Sequence, residues 1–226
     1  MSKSRIICRK IYIKLQQISF YKLLRDLFNK TIYGSKSPVY AERLWIDPRD
    51  VLGVDHERIM NLGWGFYSSA KIEHQWPFTS GDYYSVNQLP KIAHCVERFI
   101  NDKSWEASGS YEHYKSYTKT RSGKRKYSDE KIKERHIQFD RMFEMIREEK
   151  RLRTMVELDE KNYKEEGGIL IHIGPSGELV FSETGSHRLA FAIILGIEKI
   201  PVQIGVVHKD AIPLIEKYRE TDNVAM

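Results

Sequence analysis

The feature that most limits how this chain can fold is a block near residues 169–207, where strand, turn and helix signals follow one another without a gap. Ile169-Leu-Ile-His-Ile173 is an apolar, β-branched run of strand length, and Glu178-Leu-Val-Phe-Ser182 is a second. Gly174-Pro-Ser-Gly177 between them supplies turn residues, so the pair predicts a hairpin. Glu183-Thr-Gly-Ser-His-Arg188 then leads straight into an apolar helix over Leu189–Leu195, which Gly196 ends where a left-handed cap is needed. Lys199–Val207 is a third strand, and 209–221 predicts a final helix. Strands, a hairpin turn and a helix thus follow one another within one short block, and the expected fold class is α+β.

The rest of the chain is less regular. Glu42–Ile46 reads as a strand, and Asp47-Pro48 as the start of a short helix over 48–52. Residues 60–88, rich in Gly, Trp, Tyr and Ser, read as loop and short strands that cover a site. Ile92, Val96, Phe99 and Ile100 have helical spacing. Ser128 caps a long helix reaching about Arg151, with Asp129 and Glu130 in its first turn and Lys150 and Arg151 at its end, as the helix dipole favours. Ile132, Phe139, Met142, Phe143 and Ile146 form its core face.

Charge divides the chain. It carries 37 Lys/Arg and 31 Asp/Glu; eight of the basic residues and one acid fall in residues 1–33, leaving 29 against 30 in 34–226. The basic pI therefore belongs to the first 33 residues, and this partition counts against the body as a duplex-DNA clamp, which usually shows a basic face of its own. Residues 4–30 are amphipathic, but the stripe shifts between Ile7, Ile11, Leu15, Ile18 and Phe20, Leu24, Leu27, Phe28. Two readings stand: an anchor for an anionic membrane surface or a protein partner, or a helix packed on the body with a solvated basic side. Tyr33–Pro38 reads as a linker. We accordingly expect a basic helical appendage over 1–33 and one domain over 34–226 with an insertion at about 60–165.

Cys8 and Cys95 are too few and too isolated for a disulfide framework, which suggests a reducing compartment. The eight histidines show no metal-ligand spacing, so no metal site is expected. There is neither an 18-residue apolar span nor a secretory signal, and the expected location is cytoplasmic, with a peripheral membrane seat as an option.

The chemistry concentrates at 183–188. A strand that hands a glycine to a helix N-terminus exposes backbone N–H groups at the positive end of the dipole, where a phosphate is attracted. Gly185 permits close backbone approach, Ser186 offers a hydroxyl, His187 a titratable ring and Arg188 a planar fork for phosphate oxygens.

The stretch Glu178–Ile204, with Gly185-Ser-His-Arg188 at its turn, resembles the ParB/sulfiredoxin superfamily, which includes ParB N-terminal domains, sulfiredoxin and free-serine kinases. Arg43–Leu52 resembles the N-terminal edge of that fold, and Trp105-Glu106 with Tyr111 a middle segment of uncharacterised ParB-like proteins. The resemblance implies a small mixed sheet with flanking helices, binding ATP or another nucleoside triphosphate, with Mg2+, at Thr184, Gly185, Ser186, His187 and Arg188. Ser186 stands where sulfiredoxin has its reactive cysteine, so sulfinic-acid chemistry is not expected. Thr184 stands where kinase-like members carry aspartate, which leaves Glu183, His187 and Glu57 (or its neighbour Asp55) as candidate catalytic groups. Glu183 itself would point away from the site in an extended chain, unless the turn reorients it. Three functions fit: phosphoryl transfer to a small hydroxylated acceptor held by the aromatic segment, nucleotide binding without turnover, or ParB-like nucleic-acid binding or nuclease action through Lys119–Lys126.

Overall fold

The structure, a computed structural model, describes residues 19–116, 127–162 and 165–219. Among the described residues seven strands form one mixed sheet: β1 (Arg43–Ile46), β2 (Val51–Gly53), β3 (Ile72–Glu73), β4 (Tyr84–Ser85), β5 (Leu170–Ile173), β6 (Leu179–Phe181) and β7 (Ile200–His208). The helices are α1 (Ser19–Tyr33), α2 (His56–Leu62), α3 (Pro90–Phe99), α4 (Ser110–Ser116), α5 (Asp129–Glu149), α6 (Met155–Leu158), α7 (Ser186–Ile194) and α8 (Glu216–Arg219). The fold is α+β, as the sequence implies.

The hairpin forms as expected. β5 and β6 pair antiparallel with Ile173 opposite Leu179, and Gly177, at φ 93°, closes the turn that Gly174 opens. β7 lies beside β5 in parallel and is buried along its whole length. β1 pairs antiparallel with one end of β7 and β3 in parallel with the other, while β2 joins β6 in parallel and β4 closes the far edge against β2. Two of the seven strands, β3 and β4, thus come from within residues 60–165.

Side chains alternate between two layers. Ile171, Ile173, Leu179, Phe181, Ile200, Val202 and Ile204 face the main core, where α3, α5 and α7 pack; Val180 and Val206 face a smaller aromatic cluster of Trp64 and Phe78. In the main core Phe99 and Phe143 stack with centroids 3.8 Å apart, and Phe191 meets both edge-on. The alternation in β7 slips by one residue between Ile204 and Val207 because the ladder with β5 is bulged there. His172 repairs the bulge: its Nδ1 accepts from the Val206 N–H at 2.9 Å. Gly205 is needed beside it, since a Cβ there would sit 2.3 Å from that nitrogen. Burial without a counter-charge pushes the His172 pKa down to about 3, so the ring is the neutral acceptor the bulge requires.

Three expectations change. Residues 48–52 do not form a helix: Pro48–Asp50 is a single 3-10 turn capped by Asp47, and Val51 enters β2 because β6 and β4 offer it two ladders. The final helix over 209–221 is a 3-10 run (Lys209–Ile215) with Pro213 inside it, followed by the short α8. The stretch 33–38 is no free linker, because Arg219 donates to the carbonyls of Lys36 and Ser37 while pairing with Glu42. The long helix stands as expected, with Ser128 accepting from the Lys131 N–H at 3.3 Å and Lys150, at φ 53°, ending it.

α1 docks with its polar side. Lys22 pairs with Glu166 at 3.0 Å, and Arg25 donates to the carbonyls of Tyr67 and Ser69. Asp26 accepts from the Tyr40 N–H at 2.6 Å, and the buried Asn29 amide donates to Pro38 and Ala70. These partners lie on one face at i, i+3, i+4 and i+7. Leu24 and Leu27 lie on the other, flanked by Leu23, Phe28 and Ile32, and these five are exposed by 45–63%. Residues 19–33 thus pack on the body, but through their polar and basic side, in place of the solvated basic side expected of a packed helix, and the apolar side lies outward. Residues 4–18 lie outside the described residues.

Candidate functional site at the β6–α7 junction

The turn between β6 and α7 is held by left-handed backbone at two residues, Glu183 (φ 63°) and Gly185 (φ 79°). Glycine is required at 185 for conformation and for space, because a Cβ would lie 2.8 Å from Ile169 Cα. The close approach expected of Gly185 is therefore made to the start of β5. Leu170 N–H donates to the Thr184 carbonyl and Ser182 N–H to the Leu170 carbonyl, which fixes the turn against the sheet. Gly185 supplies no side-chain cap to α7, so the first-turn amides of that helix lack the usual internal acceptor. The Ser186 hydroxyl donates to the Glu183 carbonyl at 2.8 Å, leaving its lone pairs to accept.

Two cavities open on this turn. The first, of ≈ 360 Å³, is lined by Gly185 to Arg188 together with Lys91 of α3, Arg135 and Phe139 of α5, Tyr114 of α4 and Tyr127. The second, of ≈ 430 Å³, is lined by Asp55, His56, Tyr84, His113 and others. Lys91, Glu183 and Ser186 belong to both and mark where they adjoin. The positive φ at Glu183 resolves the orientation question raised by the sequence: the turn swings this side chain into both cavities, and His56 Nδ1 stands 3.5 Å from its carboxylate. A non-glycine residue held in this conformation costs about 1–3 kcal/mol, which the tethering of the turn sustains.

The other expected residues divide. Asp55, the N-cap of α2, lines the second cavity; Glu57 is exposed in the first turn of α2 and lines neither. Thr184 also lines neither and is held by backbone bonds. His187 lines the first cavity, but not as the titrating group expected at neutral pH. Its ring stacks on Phe139 with centroids 3.7 Å apart, and burial, helped by Arg135 and Lys91, lowers its pKa to about 3. It is a neutral part of an aromatic wall. Arg188 likewise is not a free fork: one nitrogen donates to the Arg153 carbonyl, and the buried Glu165 carboxylate, which pairs with Arg43 at 3.7 Å, offsets its charge.

Sequence reasoning missed two cations. Arg135 donates from Nε to the Tyr114 hydroxyl at 3.2 Å and lies over the rings of Tyr114, Tyr127 and Phe139 at 5.2–5.9 Å. It makes no ion pair among the described residues. A signal existed, since Arg135 sits between Ile132 and Phe139 on the core side of α5, where a charge has no reason to be unless a cleft opens there. Lys91 follows Pro90 in the first turn of α3 and carries no comparable signal. The aromatic residues Trp64, Trp76 and Phe78, expected over the site, instead pack on one another on the opposite side of the sheet, with centroids 5.0–5.9 Å apart. Trp105 is likewise core, stacked on His136 at 4.7 Å. The basic loop Lys119–Lys126 lies outside the described residues.

Fold and site thus define an α+β protein with a two-chambered cleft at a strand-to-helix turn. Comparison of the chain with protein-family models, with curated proteins and with solved structures finds no match.

Proposed function

We propose that the protein binds a nucleoside triphosphate in the first cavity and transfers its terminal phosphoryl group to a small hydroxylated molecule in the second, as a ParB/sulfiredoxin-like phosphotransferase. One observation carries this reading: two cavities of substrate size adjoin at a lysine, a carboxylate and an uncapped helix N-terminus. The first supplies what a nucleotide uses, namely backbone N–H groups and two cations for phosphate, and the half-buried Tyr127 ring for a base to stack on. The second is lined by Asp55 and Glu183, with His56 beside the latter.

In the transfer, the acceptor oxygen attacks the γ-phosphorus as the bond from phosphorus to the bridging β–γ oxygen breaks. The acceptor proton passes to Glu183 and the nucleoside diphosphate leaves. Phosphoryl transfer needs chiefly positioning and charge neutralisation, which Lys91, Arg135 and the α7 amides would provide. Among the described residues no group of three or more His, Cys, Asp or Glu is gathered for a metal. Magnesium ordinarily takes one or two carboxylates plus phosphate oxygens, so Asp55 would be its protein ligand, and Glu183 is left for the acceptor proton. The reading assigns the chain to the cytoplasm, where nucleotides are at hand and Cys95 remains a buried free thiol.

Titration calorimetry with ATP, GTP, CTP and inorganic phosphate, each with and without magnesium, tests binding. Arg135→Ala should weaken the preferred nucleotide about 10- to 100-fold, the range for a lost hydrogen bond to a charged group. Equal affinity in wild type and Arg135→Ala, or no heat with any of these ligands, would overturn the site. Glu183→Gln should keep nucleotide affinity and abolish transfer to an added polyol or hydroxy amino acid; unchanged turnover would remove Glu183 from the chemistry.

A further inference from the structure

The outward face of α1 is the surface feature least expected of a soluble helix. Leu23, Leu24, Leu27, Phe28 and Ile32 are 62, 45, 63, 58 and 58% exposed; Leu24 and Leu27 lie opposite the docked Lys22, Arg25, Asp26, Asn29 and Tyr33, with Leu23 on one flank and Phe28 and Ile32 on the other. The polarity is inverted relative to an ordinary surface helix, which buries its apolar stripe against the body. Five adjacent large apolar side chains at these exposures form a patch that marks a contact site.

We infer that this face seats on an anionic lipid bilayer, with α1 lying in the plane of the membrane interface and the sheet domain behind it. Charge selects the occupant. Residues 1–18 carry Lys3, Arg5, Arg9, Lys10 and Lys14 and no acid, and Lys30 adds an exposed cation on α1 itself. An apolar helix face preceded in sequence by a dense set of cations is the pattern of an interfacial segment, in which apolar insertion and attraction to anionic headgroups act together. A second copy of the chain is disfavoured by the same charges, because pairing two α1 faces brings together two segments that each hold eight cations and one acid. The docking contacts of α1 fix its polar side to the loops at 38–40 and 67–70, so the apolar side is presented without unfolding anything.

The test uses the full chain and sedimentation with vesicles of neutral phosphatidylcholine or of phosphatidylcholine with about one third phosphatidylserine. Binding is expected to the anionic vesicles only, and to fall at least tenfold between about 50 and 500 mM salt as screening sets in. The double variant Leu27→Asn/Phe28→Asn, at exposed positions, should keep the wild-type melting temperature and lose at least tenfold in vesicle affinity. Three results would overturn the inference. One is no binding to anionic vesicles. A second is binding that the double variant leaves unchanged, which would assign it to the cations alone. The third is a concentration-dependent dimer in light scattering that the variant dissolves, which would make the face a contact between copies. A fall in melting temperature in the variant without vesicle binding by the wild type would mean that residues 1–18 cover the patch, and would equally end the proposal.

Discussion

Acidification from pH 7 to 5 should destabilise this fold far more than its carboxylates alone can explain. Three histidines are held in neutral form: the buried His172 at the β7 bulge and the half-buried His187 on Phe139, both lowered to about 3, and the buried His136 between Ser110 and Trp105, lowered to about 4. Desolvation is the leading cause in each case, and it lowers His113 in the same direction. Because the folded values lie below the unfolded value of 6.5, the unfolded chain takes up protons that the folded chain refuses. This stabilisation is complete above pH 6.5 and is lost as pH falls toward 4 and then 3. From pH 7 to 5 each such histidine costs about 2 kcal/mol, and three cost about 6 kcal/mol, comparable to the whole stability of a typical domain. The figure depends little on the folded pKa values, provided they lie well below 5. Asp47, Asp82 and Glu157 are depressed in the folded state too, but their contribution is lost only below about pH 4.5, outside this window. Urea unfolding followed by tryptophan fluorescence at half-unit steps should give a slope near 4 kcal/mol per pH unit between 6 and 5. His136→Phe, which keeps a ring against Trp105, should remove about a third of that slope. A stability that is flat from pH 7 to 5, or that rises on acidification, would refute the neutral state of these rings.

Two further outcomes follow from the site. Gly185→Ala should destabilise by about 2–4 kcal/mol, since it combines left-handed backbone with a Cβ pressed on Ile169; a change below about 0.5 kcal/mol in urea unfolding would show that the turn can move. Arg188→Ala should lower stability by about 1.5–3 kcal/mol even without ligand, because it strips the Arg153 carbonyl of a charged donor and leaves Arg43 as the paired cation of the buried Glu165; an unchanged melting temperature with weakened nucleotide binding would return Arg188 to the phosphate site.

What the sequence revealed and what it hid follow from the range of the interactions. The hairpin, the 183–188 junction and the long helix were legible because turn glycines, a serine cap and end charges act within a few residues. β2 was not, since Val51-Leu52-Gly53 has no strand signal of its own and is recruited by ladders from β6 and β4. The inversion of α1 was hidden for the same reason: Arg25, Asp26 and Asn29 find carbonyls and an N–H on loops that no local pattern announces. His187 looked like an acid–base group beside a phosphate, and only the arrival of Phe139 from α5 makes it a half-buried neutral ring. Glu183 shows the converse, where a period-two argument pointed it away from the cleft and one left-handed residue turned it in.

The position of β7 also governs when the fold can be assembled. It holds β1 and β3 on one edge and β5 on the other, yet it lies about 150 residues after β1. On the ribosome, β1 is therefore synthesised long before its ladder partner, and Leu44 and Ile46 must wait in solvent or in provisional contacts. Pairings so distant in sequence close slowly, because loop entropy is lost before the contacts that compensate it form. The nascent chain up to α7 thus holds an incomplete sheet, with the ladder edge of β5 unpaired until the 200–208 segment emerges, and such an edge is prone to aggregation.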